Sequence, residues 1–118
     1  MEYSLEMERE PRGLRFACDA SAEIALESSP TTVAPARVTQ LSFQGCFLKT
    51  STSFEVQRQV LLKIYDSGEL FECKASVHYV QPSGIGLLFR EIKPHFRCVL
   101  QNWMLRTLDN QLEAPANS

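Results

Sequence analysis

Three arginines, Arg9, Arg12 and Arg15, stand close together in the run REPRGLR. A guanidinium presents its N–H donors as a planar fork. That fork matches two phosphate oxygens or the O6 and N7 edge of guanine, and its plane can stack on a base. No lysine lies among them; lysine would supply charge without the planar fork. Residues three apart on an extended chain point to opposite faces. A ligand shared by Arg12 and Arg15 therefore needs a bend, and Gly13 can provide it. A second group follows in the run QLSFQG. Gln40 offers an amide to a base edge, and Ser42 offers a hydroxyl that both donates and accepts. Gly45 has no Cβ, so it allows the backbone to turn or a ligand to approach closely. Together these residue types suit a small anionic ligand.

The other chemistry-bearing residues point elsewhere. Cys18, Cys46, Cys73 and Cys98 are widely spaced with no C-x-x-C pair, so a metal site is not expected. They read as small buried hydrophobes in a reducing compartment. His78 falls on the outer face of a strand and His95 in a first helical turn. No catalytic arrangement is legible around either, because such arrangements are recognised by geometry rather than by order. No catalytic residue and no enzyme activity are expected. Trp103 belongs to an apolar helix stripe and reads as core. Glu6, Glu8 and Glu10 read as a solvated arm.

The elements that must position these residues follow from periodicity. Arg15–Glu27 alternates, with Phe16, Cys18, Ala22, Ile24 and Leu26 on one face of a strand. Val33–Leu41 gives a second strand, with Pro35 near its start. Gly45–Lys49 gives a third, and Gln59–Asp66 a fourth with Val60, Leu62 and Ile64 on one face. After the turn signal SGE, Leu70–Val80 forms a long fifth strand. Gly84–Ile92 is a sixth, mostly buried. The period then changes from 2 to 3.6. Pro94 starts a helix to Leu112, with Phe96, Val99, Leu100, Trp103, Met104, Leu108 and Leu112 on one face.

Composition bounds the class. A chain of 118 residues with 44% hydrophobic and 22% charged side chains holds one domain and one core. A net charge of −2 argues against a general DNA or RNA binder. The start MEYSLEMERE lacks the basic and apolar runs of a secretory signal, and GIGLLF is too short to span a bilayer. A cytoplasmic protein without membrane insertion is expected. The domain plan is an arm over 1–14, a barrel over 15–92, a helix over 94–112 and a disordered tail over 113–118.

The arginine-bearing arm, the element QLSFQG, the hairpin LFECKASVHYV-QPSG, the strand GIGLLF and the closing helix occur in the order seen in PilZ domains, and residues 9–105 resemble that family. The resemblance implies a mainly β fold: a six-stranded antiparallel PilZ-like β-barrel with a C-terminal α-helix. It also implies a receptor for the bacterial second messenger cyclic di-GMP, with no further cofactor, signalling to an unidentified protein partner as a monomer or dimer. The family pattern is R-x-x-x-R followed by [D/N]-x-S-x-x-G. Ser42 and Gly45 match it. The arginines are spaced by three instead of four, and Gln40 stands where Asp or Asn is expected. The implied ligand-binding set is Arg9, Arg12, Arg15, Gln40, Ser42 and Gly45. The alternative is a degenerate PilZ domain that binds no cyclic di-GMP and serves as a protein–protein interaction module in pilus or motility regulation.

Overall fold

The computed structural model describes residues 15–117, with side chains described as far as Leu108. Six strands and one helix follow one another: β1 (Phe16–Leu26), β2 (Ala34–Leu41), β3 (Gly45–Lys49), β4 (Gln59–Asp66), β5 (Glu69–Gln81), β6 (Gly84–Glu91) and α1 (Pro94–Asn117). The strands close into an antiparallel barrel in the order β1-β2-β3-β6-β5-β4. Closure leaves no strand edge unpaired. The strand limits agree with the periodicity to within a residue.

The alternating apolar residues fill the barrel. Ile24, Val38, Leu48, Val60, Leu62, Ile64, Phe71 and Val77 are almost completely buried. At the β4–β5 turn, Ser67 and Gly68 both have positive φ, 54° and 79°. That is the geometry of a tight hairpin whose twist matches its strands.

Helix α1 covers the barrel with Val99, Leu100, Trp103 and Met104. Trp103 packs beside Phe71, with ring centres 6.1 Å apart. Its indole N–H donates to Glu69 Oε1 at 2.7 Å, and Arg106 binds the same oxygen at 3.3 Å. The core role expected for Trp103 is therefore observed, with its polar atom paired as a buried indole requires.

Three expectations change. Leu108 is 40% exposed, because it lies beyond Met104, the last of the described helix residues to be buried against the barrel. Cys98 is exposed, on the side of α1 away from the barrel, whereas Cys46 and Cys73 are buried. The helix continues past Leu112 to Asn117, through the segment expected to be a disordered tail. Glu113 and Ala114 are good helix formers, and Pro115 falls in the last turn, where its missing amide removes a single i→i−4 bond. The arm over 1–14, and with it Arg9 and Arg12, lies outside the described residues.

A candidate ligand cleft

Arg15 immediately precedes β1, whose first pairs are Phe16 with Leu41 and Ala17 with Gln40. That register sets Arg15 beside the end of β2. Strand β3 then pairs Gly45 with Leu88 and Phe47 with Gly86, bringing β6 alongside. The result is a cleft of about 170 Å3 on the barrel's outer surface, lined by Arg15, Gln40, Ser42 and Gly45 together with Phe47, His78 and Tyr79. Four of the six residues expected at a ligand site thus meet in one place. The other two, Arg9 and Arg12, precede Arg15 outside the described residues.

The serine–glycine element is a tight turn between β2 and β3. Ser42 lines the cleft but is buried, at 8% exposure. Its oxygen accepts the Gln44 amide at 3.2 Å and the Gly45 amide at 3.1 Å. Its O–H lies 3.2 Å from the Gly45 carbonyl oxygen and donates to it. The hydroxyl's one donor and two acceptor positions are all engaged within the turn. The Phe89 amide donates to the Gln44 carbonyl at 2.8 Å and ties β6 onto it. Gly45 is close to that strand as well: a Cβ there would lie 2.0 Å from the Leu87 carbonyl oxygen. The close approach expected at Gly45 is made by the protein's own backbone. Gln40, by contrast, is exposed at the cleft wall.

The opposite wall is aromatic. The pairing of β5 with β6 shifts register between Val77 and Tyr79. Strict alternation would send one of two successive residues inward; a bulge re-aims side chains. His78 is exposed and Tyr79 half-buried, and both line the cleft. Phe47 and Tyr79 lie roughly parallel, 6.1 Å apart with 27° between their planes. His78 stands edge-on to Tyr79 at 5.7 Å. Sequence reasoning placed His78 on the outer face but gave Phe47 and Tyr79 no part in the site. The signal was the alternation Gly84-Ile85-Gly86, which strips the outer face of β6 of side chains and calls for large neighbours.

Elsewhere, burial raises the Cys73 thiol to about 12 and, aided by Asp66 and Asp19, the Cys18 thiol to about 11. Both stay protonated at neutral pH and are poor nucleophiles. A second cleft, of about 430 Å3, lies over β4, β5 and the start of α1, with Leu61, Ile92 and Phe96 among its lining residues. Two of its rim lysines are held in ion pairs, Lys63 with Glu72 and Lys74 with Glu27 and Glu91. Among the described residues no helix is long and apolar enough to cross a membrane.

With this geometry the fold can be compared with known structures. The PilZ domain of CeSA from a cellulose-synthesizing bacterium superposes with a TM-score of 0.63 at 12% identity, over 77% of this chain and 94% of that one. The PilZ domain of YcgR from Escherichia coli, solved with cyclic di-GMP, gives 0.68 at 11% identity, over 88% and 95%. The chain has a PilZ-like fold. The Bacillus subtilis inhibitor of motility MotI/DgrA gives 0.66 at 18% identity, over 81% of this chain but 50% of that one. No family model matches the chain, and no curated protein matches it in sequence. The PilZ-like likeness therefore rests on the barrel, its strand order and its closing helix.

Proposed function

We propose that this PilZ-like domain is a cyclic di-GMP receptor. Its ligand would be held between the arginines of the N-terminal arm and the cleft beside QLSFQG, and the bound form would be read by a partner protein. The observation that carries the reading is the convergence of Arg15, Gln40, Ser42 and Gly45 on one cleft. Arg15 is distant in sequence from the run holding the other three, and the resemblance to PilZ domains implies that the four act together. The YcgR neighbour, a PilZ domain solved with cyclic di-GMP, supports the same ligand class.

The cleft is small. Its volume of about 170 Å3 falls below the roughly 300–1,000 Å3 of small-molecule pockets. It would form one wall of a dinucleotide site, with the phosphates assigned to Arg15 and to Arg9 and Arg12, which lie outside the described residues. Arg15 sits at the junction. Ser42 and Gly45 contribute by shaping the turn rather than through their own polar atoms. Gln40 takes the place of the usual Asp or Asn; it brings an amide and no charge, and it loses more rotamer freedom when fixed.

The test is calorimetric titration with cyclic di-GMP. Arg12→Ala and Arg15→Ala are each expected to weaken binding by about 10-fold or more, since hydrogen bonds to charged groups contribute about 1.5–3 kcal/mol. The melting temperature should stay nearly unchanged. Silent variants in a protein that binds would move the site away from the arm.

The second reading is an interaction module that binds no nucleotide. One observation favours it: Ser42 and Gly45 have complete structural reasons for their identities, in the turn and in the approach of β6. Those two residues would persist without any ligand. Absence of binding by folded protein would select this reading.

A further inference from the structure

The outer face of β6 carries no side chain at Gly84 or Gly86, and the flanking strands cover the gap. A Cβ on Gly86 would lie 2.3 Å from Tyr79 Cε2, whereas one on Gly84 would first meet the Leu48 carbonyl oxygen at 2.1 Å, with Phe47 Cε2 at 2.9 Å. The Tyr79 ring of β5 therefore packs over Gly86, and Phe47 of β3 approaches β6 from the other side. Aromatic cover of strand glycines is a known way to complete a sheet surface, and it explains the contact. It does not explain the placement. The two rings cover the part of β6 that floors the cleft, within the same lining as Arg15 and Gln40. The bulge at Val77–Tyr79 also brings the His78 ring to that face. Tyr79 is only half-buried, so part of its ring is exposed in the cleft between Phe47 and His78.

We infer that Tyr79, packed over Gly86 and flanked by Phe47 and His78, is the surface on which one purine base of the ligand stacks. Gly86 is its positioning residue. This inference rests on the nucleotide reading of the cleft, which it deepens by assigning the base to the aromatic wall and the phosphates to the arginines. The size agrees: the cleft's volume of about 170 Å3 suits one base, not a whole dinucleotide. So does the chemistry, because base–aromatic stacking is strong and needs no hydrogen-bond register.

The experiment is titration of wild type, Tyr79→Ala, Tyr79→Phe, Gly86→Ala and Arg15→Ala with cyclic di-GMP, following both affinity and the guanine H8 resonance. Stacking on a ring shifts H8 upfield. The expected result is an upfield shift with wild type and Tyr79→Phe. Affinity should fall about 10-fold or more in Tyr79→Ala and in Gly86→Ala. The two changes combined should weaken binding no further than Tyr79→Ala alone, because the glycine acts through the ring. If wild type binds, Arg15→Ala weakens binding and Tyr79→Ala stays within about two-fold, the stacking assignment is overturned and the nucleotide reading stands. If folded wild type binds no cyclic di-GMP, the nucleotide reading fails and the assignment fails with it.

Discussion

Gly45 and Gly86 both line the cleft, on neighbouring strands, yet a Cβ added to each meets a different obstacle. At Gly45 it meets backbone, the Leu87 carbonyl oxygen at 2.0 Å; at Gly86 it meets the ring of Tyr79 at 2.3 Å. Backbone in a closed barrel cannot move without breaking strand pairs, whereas a ring can rotate about χ1. The serine–glycine wall is thus fixed from within, with its polar atoms already engaged. The aromatic wall is set by side chains that a ligand can use. A residue can match a binding motif because the fold needs it, while residues that the motif does not mention line the facing wall.

The contrast predicts a graded series. The largest effect is expected for Gly45→Ala, which forces β3 and β6 apart. Overpacking costs about 1–3 kcal/mol, and the upper end is expected where the obstacle is backbone; denaturant unfolding would measure it. A loss below about 1 kcal/mol would show that the backbone accommodates the methyl group and that the two walls do not differ. Ser42→Ala comes next. It strips the amides of Gln44 and Gly45 of their acceptor in a buried turn, with a loss of about 1–3 kcal/mol. If that variant kept its stability and lost cyclic di-GMP, Ser42 would be a direct ligand contact and the comparison would break. Gly86→Ala should be mildest for folding, under about 1 kcal/mol, because the ring swings aside. Its ligand affinity should fall all the same.

Much of the fold was legible in the chain. Val60, Leu62 and Ile64 alternate so cleanly that β4 could be bounded to the residue, and the change of period after Pro94 marked the helix. Burial at the end of the helix was not legible, since Leu108 continues the apolar stripe and only the barrel's extent decides that it stays exposed. The same holds for Cys98, whose helix face is set by packing. In the site, Arg15, Gln40, Ser42 and Gly45 were picked out by the resemblance to the PilZ pattern. What Ser42 does was not, because a serine before a glycine reads alike whether its hydroxyl faces solvent or closes a turn. Tyr79 and Phe47 escaped because their meeting depends on the register of three strands, Phe47 opposite Gly86 and Gly86 opposite Tyr79. A single strand's pattern carries no register across two neighbours.

The most direct test of the central claim is isothermal titration of the folded protein with cyclic di-GMP, with GTP as the control. The account predicts saturable heat with the cyclic dinucleotide and none with GTP. No heat with cyclic di-GMP, from protein whose fold is verified by its melting transition, would contradict it.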